Sequence, residues 1–128
     1  MIKILLADDH QIVLDGLKLL LQEESKIKLV GEANNGKQVL KIMETQPVDI
    51  AVLDIEMPEM DGYRLTAEVR EDPRMSDLFI ALNTSLSGSF NEAMVKKVGC
   101  DRLISKFQPD LLVEVLQERM RDILNKPA

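Results

Sequence analysis

A single cysteine, Cys100, is all the thiol chemistry that the 128 residues offer. One cysteine closes no internal disulfide and builds no cysteine-ligated zinc site, as expected of a reduced cytoplasmic protein, and Cys100 reads as a small loop residue. Long hydrophobic runs are also missing. None approaches the roughly 18 apolar residues needed to cross a bilayer, so the chain reads as soluble, with no membrane partner. No export leader is apparent either, because Met1 is followed at once by Ile2, Lys3, Ile4, Leu5 and Leu6, without a cationic segment, an apolar run and a small-residue cleavage site in series. Finally, positive charge is short: 16 Lys and Arg stand against 22 Asp and Glu, a formal net charge of -6. Duplex binding rests largely on cationic neutralisation of phosphates, so no direct nucleic-acid contact is expected. The acidic balance points to a protein partner or a cation.

What is present is enough for one domain over residues 1–128, since 45% of the chain is hydrophobic. Short apolar runs recur at Ile2 to Ala7, Lys28 to Val30, Ile50 to Leu53, Leu78 to Leu82 and Leu103 to Ser105. Unalternating runs of this length fit strands buried on both faces. Between them lie helically spaced apolar residues: Val13, Leu17, Leu20 and Leu21; Val39, Leu40 and Met43; Leu65 and Val69. Ser89 and Glu92 form a capping box before Phe90, Met94 and Val98, and Gly99 supplies a stop. Pro109 fits a first helical position ahead of Leu111, Leu112, Val115, Leu116, Met120 and Ile123. Asn34, Asn35 and Gly36, Pro47, and Asp72 with Pro73 punctuate the junctions.

Strict alternation of strand and helix predicts an α/β fold, a doubly wound five-stranded parallel sheet with five helices and right-handed crossovers. The flavodoxin-like strand order 2-1-3-4-5 is the usual arrangement at this length, and it puts the ligand crevice at the carboxyl ends of strands 1 and 3. Asp8 and Asp9 end strand 1 and Asp54 ends strand 3. Three carboxylates gathered on adjacent strands raise one another's pKa or hold a cation, and an oxygen-only set suits Mg²⁺ or Mn²⁺. Asn83, Thr84 and Ser85 end strand 4, and Lys106 ends strand 5. A carboxylate nucleophile, a divalent metal, hydroxyl donors and a lysine are what phosphoryl transfer needs, because its transition state spreads charge over three oxygens.

Asp8 and Asp9, the run Leu53-Asp54-Ile55-Glu56-Met57-Pro58 with Met60-Asp61-Gly62, the pair Thr84-Ser85, and Lys106 together resemble the signature of response-regulator receiver domains. The resemblance spans the whole chain. It implies that Asp54 takes a phosphoryl group from a histidine kinase, that Asp8, Asp9, Asp54 and the backbone carbonyl of Glu56 hold the metal, that Thr84 and Ser85 are switch hydroxyls, and that Lys106 binds the phosphate. It also implies a downstream protein partner on the surface of the last two strands and helices. Such a protein consumes its own side chain and is not an enzyme. Residues from Ile4 to Ile55 resemble receivers that precede LuxR-type DNA-binding domains, whereas Glu56 to Gly62, Leu82 to Asn91, Ala93 to Gly99 and Lys106 to Pro109 resemble the receiver of CheV-type chemotaxis coupling proteins, as a recombinant or designed hybrid with impaired switching would.

Two positions depart from the family pattern. Leu103 replaces a usual aromatic three residues before the lysine, which leaves movement of the Ser85 to Ser89 loop to carry any output change, and Phe107 replaces the proline after the lysine, which predicts a trans Lys106–Phe107 peptide. His10 reads as a surface or capping residue rather than a base. The alternative function is a Mg²⁺-dependent phosphohydrolase with an aspartyl nucleophile. Such enzymes carry a second Asp where Glu56 stands here, and a cap region for which the chain has little room. A pseudo-receiver that binds partners without phosphorylation is a third reading, against which the intact Asp54, Thr84 and Lys106 argue.

Overall fold

The computed structural model describes residues 1–75, 77–84, 93, 97–106 and 108–125. Five strands, β1 Ile2–Ala7, β2 Ile27–Ala33, β3 Ile50–Asp54, β4 Phe79–Thr84 and β5 Arg102–Ser105, form one sheet in the order β2-β1-β3-β4-β5. Every pairing is parallel. The expected order 2-1-3-4-5 is therefore the observed one.

Among the described residues the helices are α1 Gln11–Leu21, α2 Gly36–Thr45, α3 Gly62–Glu71 and α4 Pro109–Leu124, with a 3-10 turn at Pro73–Met75. The helix expected from Ser89 to Val98, with its capping pair Ser89 and Glu92, falls largely outside the described residues. Its end is visible: Lys97 and Val98 are helical, and Gly99 has φ +82, a left-handed conformation in which a glycine stop carries no Cβ penalty.

The strands carry apolar residues on both faces because each face has its own core. Leu5, Ala7, Ala51, Leu53, Ile80 and Leu82 pack with residues of α2 and α3. Ile2, Ile4, Leu6, Ile50, Val52 and Ala81 pack with residues of α1 and α4. Adjacent residues thus enter opposite cores, as the two-residue period of a strand requires. Pro109 opens α4 at its first turn, as expected.

Two expectations are corrected. Strand β2 extends beyond Lys28 to Val30, because an edge strand buried on few of its residues can run through Gly31 and the polar Glu32 without an apolar signal. In α1 the buried stripe is Leu14, Leu17 and Leu21, while Leu20 is 39% exposed. Spacings of three and four hold the first three on one helical face and leave Leu20 on its flank.

Arg70 on α3 binds together parts that the sequence does not relate. Its guanidinium donates to the carbonyls of Gly99 and Leu78 and to Asp101 Oδ2, each at 2.7 Å. Asp101 Oδ2 also accepts the Ile80 amide at 2.8 Å. The approach to β5 is thereby fixed to the start of β4.

Candidate functional site

The carboxyl edge of the sheet gathers the residues that the strand ends supply. Asp54 is the last residue of β3, Thr84 the last of β4, and Asp8 and Lys106 follow directly on β1 and β5. Asp8, Asp54 and Thr84 are each 3% exposed or less, although a lone buried charge is costly. Lys106 offsets part of that cost. Its Nζ lies 2.8 Å from Asp8 Oδ2 and 3.1 Å from Asp54 Oδ1. The Lys106 backbone amide donates to the Thr84 carbonyl at 2.7 Å, which carries the β4–β5 pairing one residue past Ser105 and aims the lysine along the edge.

Local packing explains why Asp54 is held where it is. Gly62 begins α3, capped by Asp61, whose Oδ1 accepts the Arg64 amide at 2.8 Å. The Gly62 amide donates to the Ile55 carbonyl at 2.9 Å. A Cβ at Gly62 would overlap the carbonyl oxygen of Asp54, so only glycine lets the helix approach the strand end this closely. Gly36 plays the same part against Met60, whose carbonyl oxygen would lie 2.6 Å from an added Cβ. Residues 55–62 are thus wedged between the starts of α2 and α3.

Two carboxylates and one ammonium leave the buried part of the site net negative. Burial pushes the Asp54 carboxyl up to about 6, the Asp8 charge pushes in the same direction, and the Lys106 contacts only partly oppose them. For Lys106, burial alone would lower the ammonium, but the contacts with Asp8 and Asp54 outweigh it and leave its pKa raised. Asp54 Oδ2 is buried and has no hydrogen-bond partner. An anionic oxygen in that position calls for a cation or a donor.

Asp8, Asp9, His10 and Asp54 each offer a ligand atom, and these atoms lie within 4.8 Å of one another. Ligands placed opposite each other about a Mg²⁺ ion stand about 4.2 Å apart, twice the usual bond length, so shifts of a few tenths of an ångström would close the set. Donor chemistry, spacing and the orphaned Asp54 oxygen all fit a divalent cation.

The sequence reading named Asp8, Asp9, Asp54, Thr84 and Lys106, and the fold brings these to one edge. Ser85 and Phe107 lie outside the described residues, as do the expected loop from Ser85 to Ser89 and the Lys106–Phe107 peptide. Glu56 follows β3 with an exposed side chain that is not part of the cluster. His10 is exposed, in line with its reading as a surface residue, and stands at the N-cap of α1, where its side chain makes no capping hydrogen bond. Instead its Nδ1 lies 2.9 Å from Asp9 Oδ1 and 3.3 Å from Asp8 Oδ1. Its place directly after two acidic residues was the available signal.

Residues 4–117 match the family model of the response regulator receiver domain, and the chain belongs to that family. Receiver domains are the phosphoacceptor domains of two-component signalling; they interact with histidine kinases and bind Mg²⁺ in an acidic pocket. The chemotaxis protein CheV1 of Helicobacter pylori is 32% identical over 120 residues, which cover 90% of this chain and 37% of that protein. The nitrate/nitrite response regulator protein NarL of Escherichia coli is 30% identical over 115 residues, 90% of this chain and 53% of that protein. Each of these two relatives aligns over 90% of the chain. The chain spans about a third to a half of the length of the curated relatives it matches. Among solved structures, the signal receiver domain of a signal transduction histidine kinase from Syntrophus aciditrophicus superposes with a TM-score of 0.86 at 22% identity, covering 100% of this chain and 96% of that one, which shows the shared fold. Among the described residues no helix is long and apolar enough to cross a membrane.

Proposed function

We propose that residues 1–128 act as a single receiver domain in which Asp54 accepts the phosphoryl group of a partner kinase. The observation that carries this reading is Asp54 itself: Oδ1 is held by Lys106 while Oδ2 is buried without a partner. A carboxylate oxygen attacks phosphorus, the phosphorus–nitrogen bond of the donor phosphohistidine breaks, and the departing imidazole keeps that electron pair. Asp8, Asp9, Asp54 and the Glu56 carbonyl would hold Mg²⁺ or Mn²⁺, which when bound neutralises charge on the phosphoryl oxygens. Lys106, already within reach of Asp54, binds the transferred group as a point charge, and the Thr84 hydroxyl donates to one of its oxygens, with Ser85 beside it in sequence. Because Asp54 is consumed in the transfer, the domain is a switch rather than an enzyme. Its output partner is a protein that docks on the surface of the last two strands and helices.

Incubation with a small-molecule phosphodonor and Mg²⁺, followed by intact mass, tests the assignment. One phosphoryl adduct is expected on the wild type and none on Asp54→Asn. An adduct formed by the variant at the wild-type rate would remove Asp54 from this role.

A further inference from the structure

A ring nitrogen stands beside the acidic set of the site. His10 Nδ1 stands 2.9 Å from Asp9 Oδ1 and 3.3 Å from Asp8 Oδ1. Both are ion-pair distances, and two ligands at right angles on an octahedral ion with bonds near 2.1 Å stand about 3.0 Å apart, so the first spacing matches neighbouring corners of one coordination sphere and the second is only slightly longer. The His10 amide donates to Asp8 Oδ1 at 2.9 Å, which fixes the backbone that carries the imidazole. A second, independent observation points to the same place, since Asp54 Oδ2 is buried without a partner and Asp54 belongs to the same four-residue group.

We propose that His10 is a metal-selecting residue, whose imidazole joins Asp8, Asp9 and Asp54 around a divalent ion and biases the site toward d-block cations over Mg²⁺. The inference rests on the reading of those three carboxylates as the metal-holding set. Carboxylate, carbonyl and water suit Mg²⁺, whereas imidazole suits zinc, copper, iron and nickel, and cobalt stands between iron and nickel in the order of affinity. One nitrogen added to an oxygen set therefore strengthens binding of the second group much more than the first. His10 is accessible for this, with 65% of its side chain exposed. An ion can enter over the imidazole while Asp8 and Asp54 close the inner side of the site.

Calorimetric titration of the full chain with Mg²⁺ and, separately, with Co²⁺ tests the proposal on the wild type, His10→Asn and Asp9→Asn. His10→Asn should lower the ratio of Co²⁺ to Mg²⁺ affinity by about tenfold or more, the scale on which changes near a metal alter affinity. The visible absorption of bound Co²⁺, which reports ligand type, should shift in the same variant. An affinity ratio within about twofold of wild type together with a superimposable spectrum would overturn the role of His10, as would a wild type that takes up no Co²⁺. The carboxylate reading is judged separately: it fails if Asp9→Asn binds Mg²⁺ as the wild type does.

Discussion

Leu53 and Asp54 are consecutive in β3, 0% and 3% exposed, and their burial has opposite consequences. Leu53 enters an apolar core, where its burial stabilises the fold. Asp54 is buried at the same depth at the carboxyl edge of the sheet, where desolvation and the Asp8 charge oppose its ionised form. The sheet therefore has a stabilising middle and a carboxyl edge whose buried charges cost stability. Changes that remove side-chain substance should weaken the first and can strengthen the second.

The largest expected effect is at the stabilising end. Leu53→Ala should cost about 3 kcal/mol in urea unfolding, within the usual range for a fully buried leucine, because it loses both transfer energy and packing. A cost below about 1 kcal/mol would mean that the two regions do not differ as described.

Gly62→Ala comes next, with an expected loss of about 2 kcal/mol. Alanine is the better helix former by about 1 kcal/mol in a helix interior, and less at a first position. Here that gain is outweighed, because the added Cβ overlaps the Asp54 carbonyl and cannot move without shifting backbone. Phosphorylation should slow in step, which a time course by intact mass would record. Unchanged stability and rate would show that the strand end yields easily and that Gly62 does not position Asp54.

Asp54→Asn should act in the opposite direction and raise stability by about 1 kcal/mol or more at neutral pH in a metal-free buffer. The sign follows from the raised pKa. The folded state holds the Asp54 proton up to about pH 6, whereas the unfolded state releases it near the ordinary value of 3.8. The wild type is thus free of the penalty below about pH 3.8, loses stability as pH rises toward 6, and carries the full penalty above that. The gap between variant and wild type should open over that window and vanish below it. A gap independent of pH would assign the stabilisation to something other than the charge.

The same contrast explains what could be read from the sequence. The sheet was legible because residues buried on both faces leave unbroken apolar runs, and β3 is buried from end to end. Asp8, Asp9, Asp54, Thr84 and Lys106 were legible because a parallel sheet delivers successive strand ends to one edge. Side-chain reach was not. Arg70 has the composition of any surface arginine on a helix, and nothing local marks Gly99, Leu78 and Asp101 as its partners. His10 reads as a surface or capping residue and is exposed, but nothing local tells that its imidazole rests against both carboxylates before it. Edge strand β2 ran past its apolar residues because backbone pairing with β1, not burial, sets its length.

The smallest effect is expected in the loop that the site depends on. Glu59 is the only non-glycine residue with positive φ among the described residues, at 66°. That conformation costs an L-residue roughly 1–2 kcal/mol, and such strain gathers near functional sites. Glycine at this position removes the strain but brings an unfolded-state entropy cost of roughly 0.5–1 kcal/mol. The Lys37 to Glu59 pair, 4.0 Å apart and exposed on both sides, contributes little. The balance favours Glu59→Gly by about 0.5 kcal/mol, read from urea midpoints beside Glu59→Ala, which keeps the strain and should show no gain. If alanine stabilised as much as glycine, the carboxylate and not the backbone would be the source of the cost, and the strain would not belong to the edge that carries Asp54.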